Sequence, residues 1–179
     1  MQLHGVRRWS PGEIVPAPLD LYRTVVAAEW VDYNRHMTEA AYLTAAGWAT
    51  DVLFQYIGDD DAYRAAGHSF YTVETHIHYL REASEGEPLR ITTQLLGLDT
   101  KRVHLHHEIL HGASGALLCA VEQMLVHVNM SAGRSTAILP DVFAALSAMM
   151  AAHGSLAVPQ QVGNVMSIRS KSRASQPAD

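Results

Sequence analysis

Thr38-Glu39-Ala40-Ala41-Tyr42-Leu43-Thr44-Ala45-Ala46-Gly47-Trp48-Ala49-Thr50-Asp51-Val52-Leu53-Phe54-Gln55-Tyr56-Ile57 is the strongest helical pattern in the chain. Ala41, Ala45, Trp48, Val52 and Tyr56 recur at three- and four-residue steps, an apolar stripe of helical period. Glu39 in the first turn suits the helix dipole, and Gly58 stands where a C-terminal cap is expected. Gly47 weakens the pattern and is expected to let a strand pass close by. Beyond the helix the period changes. Residues 59–67 read as a short helix or turn, and four strand patterns come after them with no long helix between. Residues 68–80 alternate, with Tyr71, Val73, Thr75, Ile77 and Tyr79 on one side and Glu74, His76 and His78 on the other. Glu85-Gly86-Glu87-Pro88 is a turn. Residues 89–98 and 103–111 form a hairpin through Asp99-Thr100-Lys101-Arg102, and residues 116–128 form the last strand after His111-Gly112-Ala113-Ser114-Gly115.

Ahead of the long helix, residues 21–30 read as a first strand. Near the other end, residues 140–152 read as an apolar helix with Pro140 in its first turn. One strand, one long helix and four consecutive antiparallel strands are best satisfied by a buried helix wrapped in one curved sheet. The expected class is α+β, with about five strands. Residues 1–18 form an irregular arm, 19–153 the domain, and 154–179 a tail. Residues 169–179 are rich in Ser, Gln, Pro and Ala and are expected to be disordered.

A chain of 179 residues suits one domain with a sizeable core. Its net charge of −5 provides no basic field for nucleic acid. The lone Cys119 admits no intramolecular disulfide, fits a reducing cytoplasm, and lies in an apolar run that marks it as a buried, inert thiol. Arg7 and Arg8 are followed by Trp9-Ser10-Pro11-Gly12 rather than an apolar stretch, so no secretory pattern is expected. No window reaches the ~18 consecutive apolar residues of a membrane span, and a cytoplasmic location is expected.

The chemistry concentrates directly before the long helix, where Asp32, Asn34 and His36 come at alternate positions. In an extended backbone all three share a face, and in a helix Asp32 and His36 share one. Either geometry sets an acid and an imidazole beside a helix N-terminus, whose free N–H groups favour developing negative charge. That is equipment for attacking a carbonyl and holding the oxyanion. Capping alone explains Asp32 and Asn34 as well, since both are good N-caps. His104, His106, His107, Glu108 and His111, with His76 and His78, offer metal-ligand types. Such a site also needs a ligand from elsewhere, so solvated or interfacial histidines are the simpler reading and no metal is expected.

The segment Glu29-Trp30-Val31-Asp32-Tyr33-Asn34-Arg35-His36-Met37, the helix opening Ala41-Tyr42-Leu43 and the hairpin after Gly86-Glu87 resemble the hotdog-fold acyl-CoA thioesterases of the 4-hydroxybenzoyl-CoA thioesterase-like branch. The Asp-x-Asn-x-His string is also similar to that of the acyl-carrier-protein thioesterases. Tyr71-Thr72-Val73-Glu74-Thr75-His76, Asp99-Thr100-Lys101-Arg102 and Glu122-Gln123-Met124-Leu125-Val126-His127-Val128 resemble the betainyl-CoA thioesterases of carnitine breakdown, which occur alone or fused to L-carnitine dehydrogenase. The likeness is collinear over residues 20–135.

It implies a hotdog fold with Asp32 as catalytic nucleophile or general base. Asn34 would hold the attacking group, His36 would tune Asp32 or shuttle a proton, and Glu74 would be a further acid or base. Backbone N–H groups at the helix start would hold the oxyanion. The substrate would be an acyl-CoA, with no cofactor, in a homodimer or homotetramer whose sites lie between subunits. A trimethylammonium acyl group would be held by Trp30, Tyr33, Tyr42 and Tyr71, with Trp48 nearby, and the CoA phosphates by Lys101 and Arg102, with Arg134 also available. One departure stands out: the residue before His36, usually glycine in the family, is Arg35. No dehydrogenase portion is expected, since Gly112-x-x-Gly115 lacks a dinucleotide-binding pattern. The expected activity is hydrolysis of a short acyl-CoA, betainyl-CoA foremost. An aromatic or medium-chain acyl group, or a non-catalytic acyl-CoA-binding module, are the alternatives.

Overall fold

The computed structural model describes residues 6–168, so residues 1–5 and the tail expected to be disordered, 169–179, lie outside the described residues. Strand β1 (Leu19–Val25) leads through a 3-10 turn (Ala28–Trp30) to helix α1 (Glu39–Ile57) and the short α2 (Asp61–Ala65). Then come β2 (His68–Tyr79), β3 (Pro88–Leu98), β4 (Arg102–His111), β5 (Leu117–Asn129), the two-residue β6 (Arg134–Ser135) and α3 (Pro140–His153). The strands form one antiparallel sheet in the order β1-β3-β4-β5-β2, with β6 added to β5. The sheet curls around α1, which packs on β1, β3, β4 and β5. This is the α+β arrangement expected, a long helix wrapped by a curved sheet.

Helix α1 starts and stops for identifiable reasons. Thr38 is extended ahead of it, and Gly58 closes it in the left-handed region at φ 97°, its N–H donating to Phe54 O at 3.0 Å. Glycine is suited to that conformation because it has no Cβ to clash. Small residues set the helix close to the sheet: Ala45 and Ala46 are fully buried and Ala49 nearly so. Gly47 is not the close-approach point expected, since a Cβ there would meet open space. Apolar clusters lie at both ends of α1. Ala41, Tyr42 and Ala45 pack with Trp30, Met37, Ile91 and Val121 at its start, while Leu53 and Ile57 pack with Leu95, Leu105, Leu146 and Met149 at its end. Cys119 is buried, and its thiol is pushed up to about 12 by that burial.

Three further expectations change. The first strand stops at Val25 because the chain turns at Ala28–Trp30, with Trp30 N–H donating to Ala27 O at 3.0 Å. In β2 the register slips between Thr72 and Glu74, a bulge that exchanges the faces of the strand. Phe70 pairs with the buried His127 before it, and Thr75 and Ile77 pair with the buried Gln123 and Val121 after it. Tyr71 and Glu74 therefore face away from α1, and the single continuous apolar face read from 71 to 79 does not exist. Finally, His106 and His107 are buried rather than solvated, at 1% and 0% exposure.

His107 sits under α1 in a polar chain: its Nδ1 lies 2.9 Å from Thr93 Oγ1 and its Nε2 2.9 Å from Thr50 Oγ1. Thr50 also reaches Gln123 Oε1 at 3.3 Å, so the buried imidazole has partners at both nitrogens. Among the described residues no helix is long and apolar enough to cross a membrane. No group of three or more His, Cys, Asp or Glu residues among them could hold a metal ion. Residues 157–166 run over the outer sheet face, where Gly163 N–H donates to Glu122 Oε2 at 2.9 Å and Gln94 Nε2 to Ala157 O at 3.3 Å.

Candidate active site

Val31 and Met37 pair across a tight reversal of the chain immediately before α1. Asp32 N–H donates to His36 O at 3.0 Å, and Arg35 N–H donates to Asp32 O at 2.9 Å. This is a hairpin with a three-residue loop, Tyr33-Asn34-Arg35, whose last residue must be left-handed to rejoin the ladder. Arg35 has φ 63°, the sole positive φ outside glycine among the described residues. The usual family glycine is thereby explained: the position needs the left-handed region, which costs a side-chain-bearing residue about 1 kcal/mol. Arg35 keeps the turn and sends its guanidinium to Glu85, Nη2 to Oε2 2.8 Å.

The loop is thus neither the extended run nor the helical one that the alternation allowed. Asp32 and Asn34 converge by an Asx-type turn instead. Asp32 Oδ1 accepts from Asn34 N–H at 2.8 Å and from His36 N–H at 3.3 Å. Among the described residues its other oxygen, Oδ2, has only Asn34 Nδ2 at 3.5 Å. One carboxylate oxygen is anchored by two backbone N–H groups and the other is held by a single longer contact. The His36 imidazole does not join them; its Nδ1 lies 3.2 Å from Glu82 Oε2.

Three backbone ties fix this loop against the helix start. Thr38 N–H donates to Trp30 O at 2.8 Å, Met37 N–H donates to Ala83 O at 2.7 Å, and His36 pairs with Ser84. Thr38 provides no side-chain cap; its carbonyl accepts from Ala41 N–H at 3.0 Å and Tyr42 N–H at 3.4 Å, and its hydroxyl leaves the Glu39 and Ala40 N–H groups unclaimed. Two tyrosines flank the same turn. Tyr42 donates its hydroxyl to Arg81 O at 3.1 Å, and Tyr79 donates to Glu39 O at 3.2 Å. Their rings meet edge to face at 5.7 Å. Burial pushes the Tyr42 phenol up to about 12, so it stays a neutral donor. Behind them Trp30 lies 5.0 Å from Trp48, and Tyr22 meets the Trp48 ring at 6.4 Å.

The structure therefore gathers Asp32, Asn34, His36, Trp30 and Tyr42 at the N-terminal end of α1, with Tyr33 at the loop tip, 93% exposed. It does not gather the others within the chain. Glu74 stands on the outer sheet face, 3.3 Å from His76 Nε2, beside a groove shared with His104 and Glu122. Tyr71 shares that outer face because of the bulge. Lys101 and Arg102 lie in the β3–β4 turn toward the other end of α1, with Arg102 bound to Asp99 Oδ2 at 2.6 Å. Tyr79, Glu82 and Glu85 were not singled out by sequence. The return of the chain from β2 past the helix start places them, and no local motif marks that return.

Comparisons with known proteins agree with this geometry. Residues 26–146 match the family model of the thioesterase-like superfamily. The chain is 44% identical over 151 residues, 84% of its length and 95% of the relative's, to the betainyl-CoA thioesterase of Pseudomonas aeruginosa. It is 46% identical over 156 residues to an L-carnitine dehydrogenase/betainyl-CoA thioesterase of Rhizobium meliloti, covering 86% of this chain and 32% of that one. A solved structure from Pseudomonas putida KT2440, provisionally named a thioesterase, superposes with TM-score 0.75 at 32% identity, covering 87% of this chain and all (100%) of that one. A Staphylococcus aureus protein solved in complex with CoA has the same fold, with TM-score 0.76 at 22% identity over 87% of this chain and 99% of that one. With a hairpin carboxylate at the head of a sheet-wrapped helix and a family match spanning most of its length, the chain belongs to the thioesterase-like, or hotdog, superfamily.

Proposed function

We infer that this chain hydrolyses a short acyl-CoA thioester, with betainyl-CoA as the substrate and glycine betaine and CoA as products. The observation that carries this is the 44% identity to a betainyl-CoA thioesterase across 84% of the chain, with Asp32 held at the helix start. Asp32 Oδ2 takes a proton from water as the water oxygen bonds to the thioester carbonyl carbon. The carbonyl oxygen becomes an oxyanion facing the leading N–H groups of α1. On collapse the C–S bond breaks, the CoA thiolate leaves with its electron pair, and the proton passes from Asp32 to the sulfur. Asn34, bonded to both ends of the Asp32 carboxylate through N–H and amide, fixes its orientation. Direct attack by Oδ2, giving a mixed anhydride, uses the same geometry. Single turnover in H₂¹⁸O is decisive in one direction: a label left in Asp32 requires direct attack, with water then entering at the Asp32 carbonyl of the anhydride.

A homodimer completes the site in this reading. β2 ends the sheet and leaves Tyr71 and Val73 at 52% and 61% exposure, a strand suited to pairing with a second copy. Glu74, Lys101 and Arg102, remote from Asp32 within one chain, would then serve the partner's site. A cytoplasmic location fits a CoA ester substrate and a lone buried thiol. The fused relatives support a functional link to L-carnitine dehydrogenase. The test is thiol release from betainyl-, acetyl-, benzoyl- and octanoyl-CoA. Betainyl-CoA should give the highest kcat/KM. Release confined to uncharged acyl groups overturns the betaine assignment, and no release from any ester points to a binding module.

A further inference from the structure

We propose that Tyr79, assisted by Glu82, is the seat of the substrate's quaternary ammonium and hence the specificity-determining pair of the site; this rests on the betainyl-CoA reading above. In a betainyl thioester the ammonium nitrogen is two bonds, about 2.5 Å, from the reacting carbonyl carbon. Whatever binds the cation must therefore line the same turn of α1 that receives the oxyanion. Cations bind over aromatic faces within about 6 Å of the ring centre.

The accessible aromatic tied to this turn by its own contacts is Tyr79. Trp30 and Tyr42 are 8% and 3% exposed, and Tyr71 lies beyond the bulge on the opposite sheet face. Tyr33 projects from the loop tip at 93% exposure. Tyr79 is 49% exposed and on the helix side of β2, and it is tied to the first turn through its hydroxyl on Glu39 O and its edge contact with Tyr42. In the single chain the ring is fixed at two points and about half exposed, and a platform so held loses little freedom on binding.

The charges around it agree. Glu82, three residues on, holds His36 Nδ1 at 3.2 Å while its side chain stays 72% exposed, and Glu39 begins the helix. The neighbouring cations are turned elsewhere: Arg81 donates to Leu117 O at 2.6 Å and Arg35 to Glu85 at 2.8 Å. Among the described residues a quaternary ammonium placed on Tyr79 thus has the Glu39 and Glu82 carboxylates on its side of the turn, while Arg35 and Arg81 are engaged elsewhere.

The experiment compares betainyl-CoA with its neutral isostere, 3,3-dimethylbutanoyl-CoA, in which carbon replaces the ammonium nitrogen. Wild-type protein should prefer betainyl-CoA by tenfold or more in kcat/KM. Tyr79→Leu should lower that ratio about tenfold, Glu82→Gln about threefold, and Tyr79→Phe, which keeps the face and loses the hydroxyl, should leave the ratio near wild type. A wild-type ratio near one overturns the betaine reading and the seat with it. A wild-type preference that survives Tyr79→Leu, or a ratio lost equally in Tyr79→Phe, overturns the seat alone.

Discussion

Acidification from pH 7 to pH 5 should destabilise this protein through histidines buried in its core. His107 is held down to about 3 by burial, and His106 to about 4 by burial, which outweighs the attraction of Glu122. Unfolded, both return to the ordinary value near 6.5. A base whose folded pKa is depressed leaves the unfolded state binding more protons, so stability falls as pH drops below the unfolded value. Each histidine costs about 2 kcal/mol over this interval, about 4 kcal/mol for the pair. Asp59 opposes them: it is buried at 0% exposure, and burial raises its carboxyl to about 6 despite Arg64 at 3.1 Å. Its protonation in the folded state returns about 1 kcal/mol, leaving a net loss of about 2–3 kcal/mol. His127 and His153, also lowered by burial, add to the loss, while Asp51, raised by burial, adds to the return. Urea unfolding at fixed protein concentration, at pH 7 and pH 5, measures the difference. His107→Gln, which can still bond Thr50 and Thr93, should cut the loss by about 2 kcal/mol. An unchanged loss in that variant, or stability that rises toward pH 5, refutes the reasoning.

Other substitutions test the packing and the loop. Arg35→Gly relieves the left-handed strain, and its entropic cost and the lost exposed ion pair leave a change between zero and about 1 kcal/mol of stabilisation in urea melts. Ala45→Leu places a large side chain where α1 meets the sheet with no exposed surface, and should cost about 3 kcal/mol or prevent folding. Asp32→Ala removes the acceptor of two backbone N–H groups in the loop and should cost about 1–2 kcal/mol more than Asp32→Asn in the same assay.

The layout was legible because two periods are separated cleanly along the chain. The 38–57 stripe and its Gly58 cap marked the central helix to within a residue, and the turns at 99–102 and 111–115 marked the β3–β4 and β4–β5 hairpins, whereas the turn at 85–88 ends a crossover from β2 to the non-adjacent β3. What could not be read depends on contacts remote in sequence. The bulge after Thr72 reverses the faces of β2, and alternation alone has no mark for a slipped register, so Tyr71 was read on the face of Ile77 and Tyr79, while Glu74 keeps the polar face on which alternation set it. Asp32 was identifiable, but its neighbours were paired by spacing, and a hairpin turn breaks that pairing: His36 reaches Glu82, 46 positions on, instead of Asp32. Arg35 marked the turn only by contrast, since an arginine gives no sign that its position is left-handed. The histidines of β4 read as solvated or interfacial because polarity suggests a surface, whereas Thr50 and Thr93 satisfy His107 beneath α1.

In the mechanism proposed above the Asp32 carboxylate is the base, held in a loop that needs only its acceptor atoms. Asp32→Asn keeps an oxygen for the N–H groups of Asn34 and His36 and removes the base. Betainyl-CoA turnover by this variant, followed as released thiol, should fall about 10²–10⁴-fold in kcat while its urea midpoint stays within about 1 kcal/mol of wild type. Turnover within threefold of wild type by the folded variant would remove Asp32 from the mechanism and contradict the account.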